Sequence, residues 1–133
     1  MEITKTIRLD NDVYIPICAV ANPTIISDWY EGVNIDAIVW NSSGYEQFKG
    51  LLVTARSGGN SSIYAKSFSD TNVRFGFKLI ENSTSGLRKI IIYAKGEGHM
   101  VTTIHATDGV IMPILDELTT TNVQKFKLNN DAT

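Results

Sequence analysis

The sequence predicts an all-β fold, a single antiparallel β-sandwich or jelly-roll-like domain of about eight to ten short strands. Three observations carry this. Apolar residues alternate with period two along most of the chain, and sustained helical spacing is almost absent. Ser, Thr and Asn are frequent, Ala, Glu and Gln are scarce, and Ile and Val are abundant, a balance that opposes helix and suits strands and turns. Clusters of Asn, Asp, Gly and Ser then punctuate the apolar stretches at sandwich-like intervals.

Taken in order, residues 4–9 alternate and run into the turn Asp10-Asn11-Asp12, which predicts a short hairpin opening. Residues 13–20 are too apolar for a strand with one wet face, and Pro16 denies it a ladder donor, favouring a bulge or an edge. Residues 21–32 read as a long loop. Residues 33–40 form the cleanest strand, with Val33, Ile35, Ala37 and Val39 on one face and Asn34, Asp36, Ile38 and Trp40 on the other. Asn41-Ser42-Ser43-Gly44 turns it back into a strand over residues 48–55, an antiparallel hairpin. Residues 62–68 follow the turn Ser57-Gly58-Gly59-Asn60-Ser61 as a further hairpin arm. The strand over 73–80 has the strongest one-sided signal, placing Val73, Phe75, Phe77 and Leu79 in the core. Strands over 87–95 and 100–107 are separated by Gly96-Glu97-Gly98, and Asp108-Gly109 is a further turn signal. Beyond Pro113, residues 114–118 suit either one helical turn or a strand end, residues 123–128 suit a closing strand, and residues 129–133 a frayed tail.

Length and composition bound the function. At 133 residues, the chain has the size of one domain, residues 1–133, with 43% hydrophobic residues and 20% charged ones. A net charge of -2 supplies no basic field for nucleic acid or anionic membrane. No apolar run has the length of a signal peptide or a membrane span, so the chain reads as made in the cytoplasm and not inserted in a membrane. One cysteine, Cys18, makes no internal disulfide and is too few for a structural zinc site.

Residues that carry chemistry are sparse, and neither a catalytic set nor a cofactor or metal site is predicted. His99 and His105 lie six apart and straddle the strand over 100–107, about 20 Å in extended chain, too far to share a metal. Cys18 has an apolar setting that makes a thiol inert. Neither a nucleophile elbow nor a phosphate loop is present, and Asp10-Asn11-Asp12 lacks the Gly and distant Glu of a calcium loop. The Asn-x-Ser/Thr triplets at Asn41, Asn60 and Asn82 are accounted for by chance in a chain rich in those residues.

The aromatic residues are more informative. Trp29 and Tyr30 between Asp28 and Glu31 form the mixture a sugar site uses, a flat ring beside groups that bond hydroxyls. The competing structural role for Trp29 is a plug under its loop, and Trp40, Tyr45, Tyr64 and Tyr93 face the same choice. The candidate glycan site is therefore Asp28, Trp29, Tyr30, Glu31, Asn41, Tyr45 and Asn60. An enzyme using carboxylate pairs, Asp28 with Glu31 or Asp36, is the alternative.

Two stretches carry a resemblance. Tyr14-Ile15-Pro16-Ile17-Cys18-Ala19 in an early strand and Ile90-Ile91-Ile92-Tyr93-Ala94-Lys95 in a late one give the chain, over roughly residues 4–107, a pattern that resembles the small C-terminal β-sandwich knobs of bacteriophage tail fibres and tailspikes. The resemblance implies a homotrimer in a virion tail that grips a host-surface glycan or clamps the fibre end, without a catalytic set, and a purely structural virion or baseplate subunit is the further alternative. A separate physical argument agrees with self-association. Residues 13–20 and 89–94 are apolar on both faces, which predicts an oligomer interface at Ile15, Ile17, Ile91 and Tyr93 unless residues 110–128 cover the second face.

Overall fold

A computed structural model of the chain describes residues 1–22, 28–57, 60–81, 88–112 and 122–128. Among them are strands β1 (Glu2–Arg8), β2 (Ile15–Ala21), β3 (Trp29–Asn41), β4 (Gly44–Ser57), β5 (Asn60–Ser67), β6 (Arg74–Glu81), β7 (Arg88–Lys95), β8 (His99–Ala106), β9 (Val110–Met112), β10 (Gln124–Lys125) and β11 (Lys127–Leu128), and no helix. A front sheet has the order β1-β8-β3-β4-β5-β11 and a back sheet the order β10-β6-β7-β2-β9. All pairings are antiparallel except β5 with β11. The expected all-β sandwich is the fold. The segment after Pro113, expected as a helical turn or a strand end, the tail over 129–133 and the triplet at Asn82 lie outside the described residues.

Alternation along β3 organises the front sheet. Trp29, Glu31, Val33, Ile35, Ala37 and Val39 point inward and are buried, while Tyr30, Asn34, Asp36, Ile38 and Trp40 are exposed. The strand pairs with β4 from end to end and with β8 from Val33 to Trp40. Opposite it, Val73, Phe75 and Phe77 are buried and Leu79 packs against the same core, as their parity predicts.

The first connection departs from expectation. β1 makes no hairpin with β2; it pairs with β8 in the front sheet, and the chain crosses to β2 in the back sheet. Backbone bonds explain the crossing. Leu9 N donates to Gly98 O at 2.8 Å and Gly96 N to Asp10 O at 3.0 Å, so the β1–β2 and β7–β8 crossings hold each other. Pro16 acts as its missing donor requires, for the register of β2 on β7 shifts between Pro16 and Cys18.

The interface expected at Ile15, Ile17, Ile91 and Tyr93 is corrected. Ile17 belongs to the core between the sheets, Ile91 and Tyr93 are 0% exposed, and Ile15 is half-buried beside Ala94. The second face of β7 does need cover, and the chain supplies it. Tyr14, Ile80 and Val123 pack on Ala19, Ile91 and Tyr93, with the rings of Tyr14 and Tyr93 edge to face at 6.4 Å. Burial raises the Tyr14 pKa, an effect that Arg74 opposes, and Lys95 lies 4.6 Å over the same ring. Gly76 leaves room for this layer, because a Cβ there would stand 2.5 Å from Val123 Cγ1.

One side of the sandwich is stitched shut. β10 pairs with β6 at the edge of the back sheet, and two residues later β11 pairs with β5 at the edge of the front sheet. Between them Phe126, 3% exposed, enters an aromatic cluster in which Phe48 and Phe75 stack across the sheets at 4.3 Å. Replacing a buried phenylalanine by alanine removes transfer energy and leaves a cavity. Phe126→Ala is therefore expected to lower unfolding stability by about 3–5 kcal/mol in urea titration, and a loss under 1 kcal/mol would show that the stitch is dispensable.

Candidate functional site

The aromatic-acidic stretch expected in a loop belongs instead to β3, and alternation divides it. Trp29 is 1% exposed, with the Arg88 guanidinium carbon 5.6 Å above its ring, so it presents no face to a ligand. Arg88 is itself buried, its Nε 3.3 Å from Glu81 Oε2 and its Nη2 donating to Ser61 Oγ at 3.3 Å. Glu31 is also turned inward and is 4% exposed. Its carboxylate accepts bonds from Thr107 Oγ1 at 2.8 Å, Asp108 N at 3.1 Å and Gly109 N, holding the turn that leads from β8 into β9. Gly109 has no room for a side chain, since a Cβ would lie 2.8 Å from Glu31 Oε2. Trp29 and Glu31 are thus structural, and their place in the expected glycan site is corrected.

The remaining expected residues do not converge. Asp28 and Tyr30 are exposed at the start of β3, whereas Asn41 and Tyr45 flank its far end, about 40 Å away for a 13-residue strand. Asn41 Oδ1 accepts the Ser43 N–H at 2.9 Å and is spent on its own turn. Of Asn60 only the backbone is described, as the first residue of β5. The carboxylate pairs also separate, because Glu31 faces inward while Asp28 is exposed, and Asp28 lies eight residues from Asp36, roughly 26 Å along an extended chain.

What the topology does bring together is a row across the outer face of the front sheet. Register pairs Arg8 with His99, His99 with Trp40, and Trp40 with Tyr45, so four side chains from β1, β8, β3 and β4 stand side by side. Strand spacing makes the row about 14 Å long. Trp40 is 41% and Tyr45 76% exposed, and their rings meet edge to face at 6.0 Å and 77°, forming an aromatic corner. Gln47, Asp36 and Lys49 stand in the next two rows, the last two paired at 3.6 Å. Gly98 lets β8 begin so close to Trp40: its φ is +102°, and a Cβ would overlap the Trp40 carbonyl oxygen. Glu97 donates nothing to the row. Its carboxylate accepts the Ser42 N–H at 3.2 Å, and hydrogen bonding to the Ser42 side chain, then to this N–H, lowers its pKa.

Arg8, His99 and Trp40 were outside the expected site. The signal for Trp40 was its parity, an indole placed with Asn34 and Asp36 on the wet face. Arg8 and His99 carried none, because only the register among β1, β8 and β3 sets them beside it.

Cys18 and the metal question behave differently. Among the described residues no three His, Cys, Asp or Glu side chains gather as metal ligands, and no helix is long and apolar enough to cross a membrane. Cys18 borders an apolar cleft of about 250 Å³ between β1 and β9, which end the two sheets among the described residues, lined also by Ile3, Lys5, Ile111 and Met112. Burial pushes its thiol up to about 12, a shift that Lys5 opposes. The folded state thus keeps the proton longer than the unfolded chain, and this contribution to stability is complete below pH 9 and lost as pH rises from there toward 12. Native protein at pH 8 is expected to resist an aromatic disulfide reagent and to react with one equivalent once unfolded in urea. Fast native reaction would show Cys18 to be accessible.

Compared with known proteins, the chain matches no family model, no curated protein and no solved structure.

Proposed function

We propose that the chain is a non-catalytic binding module that recognises a surface glycan through the outer face of its front sheet, in the manner of a phage tail-fibre receptor-binding domain. The observation that carries this is the exposed Trp40–Tyr45 corner on a sheet face that also offers Gln47, Asp36, Lys49 and His99 as hydrogen-bonding groups. A pyranose has one apolar face and a rim of hydroxyls. An aromatic ring takes the first and amides, carboxylates and imidazole take the second.

The site is open and shallow, so a single copy binds weakly, and affinity in use comes from several copies on one particle. The tail-fibre resemblance supplies that setting as a homotrimer in a virion tail. Tyr30 and Tyr64, 61% and 59% exposed at the other end of the face, are too far from the corner to share one short saccharide with it.

Glycan-array screening followed by titration of the best binder tests the reading. Trp40→Ala and Tyr45→Ala are each expected to weaken binding tenfold or more, about 1.4 kcal/mol, while Tyr30→Ala changes it less than twofold. Equal affinity in all three variants would remove the corner from the site. Sedimentation equilibrium is expected to give three times the chain mass of 14.7 kDa. A monomer at micromolar concentration would overturn the trimer and leave the corner standing.

A further inference from the structure

The charge beside the aromatic corner narrows the ligand class. The Arg8 side chain is exposed at the end of the row and makes no ion pair or hydrogen bond among the described residues, and neither does the His99 side chain beside it. The acids near this end are engaged elsewhere. Glu97 accepts from Ser42, Glu46 from Asn72 at 2.9 Å, and Asp10 from the Asp12 N–H at 2.7 Å. The chain as a whole carries -2, so Arg8 is a local exception on a mildly acidic protein rather than part of a basic field.

We infer that the row Arg8–His99–Trp40–Tyr45 binds an acidic oligosaccharide, with a sugar carboxylate on Arg8 and the neighbouring ring against the Trp40–Tyr45 corner. This rests on the glycan-binding reading above. A guanidinium fork matches a carboxylate with two parallel N–H···O bonds, which a neutral hydroxyl cannot return. His99 lies between cation and indole and offers both a donor and an acceptor to the intervening hydroxyls. The length of the row, about 14 Å, suits a short oligosaccharide lying across the strands. Arg8 would then select the sugar while Trp40 and Tyr45 hold it.

The test is a titration panel of uronate- and sialate-bearing oligosaccharides, the methyl ester of each, and neutral oligosaccharides of the same length. At least one acid is expected to bind and its ester to bind about tenfold more weakly. Arg8→Gln is expected to cost the acid the same factor and to leave the ester within twofold, with unchanged thermal unfolding because Arg8 is exposed. Acid and ester binding alike, or neutral sugars binding better than any acid, would overturn the acidic specificity and keep the glycan reading. Binding to no member of the panel would overturn both.

Discussion

Unbroken alternation over the thirteen residues of β3 is the constraint on which the rest of the structure depends. The strand sits in the middle of the front sheet and sets the register of both neighbours, so its parity decides which side chains of three strands are core and which meet water. A slip of one residue would bury Asp36 and expel Val33 and Ile35. It would also exchange the two tryptophans. Trp29 is under Arg88 and Trp40 is on the surface for no reason of composition; one number is odd and the other even.

Charged groups buried at the sandwich end fix that register. Glu31 occupies an inward position where alternation calls for an apolar residue, and it is tolerated because the turn after β8 brings it backbone N–H donors from Asp108 and Gly109. Arg88 is likewise buried, between Trp29, Glu81 and Ser61. Removing these partners would leave the buried Glu31 carboxylate or Arg88 guanidinium uncompensated in an apolar setting, which is costly.

The strands were legible in the sequence wherever period two was clean, above all over residues 33–40 and 73–80. The start of β3 was not, because Asp28 and Glu31 gave residues 28–31 the composition of a wet loop. The partners that make a buried Glu31 tolerable lie 76 to 78 residues downstream and leave no local mark. The two apolar faces of β7 were visible in the sequence, but the expected cover, a second subunit or residues 110–128, is met only in part, by Val123. That the cover comes from Tyr14, Ile80 and Val123 of the same chain depends on Gly76 lacking a side chain, a steric fact that composition does not express. The row on the front sheet joins Arg8 to His99 across some ninety residues of sequence, a distance over which only register speaks.

The stitch between the sheets has a consequence in time. Phe48, Phe75 and Phe77 leave the ribosome well before Phe126, which follows Phe75 by about fifty residues, or roughly 3–10 s at bacterial-to-eukaryotic rates of synthesis. Throughout that interval the aromatic side of the sandwich lacks Phe126 while the rest of β6 and the strands β7 to β10 are being made. Hydrophobic collapse takes microseconds, so the nascent chain must hold an exposed aromatic edge for a very long time by its own clock. Among the described strands, β10 and β11 are the ones that close that edge.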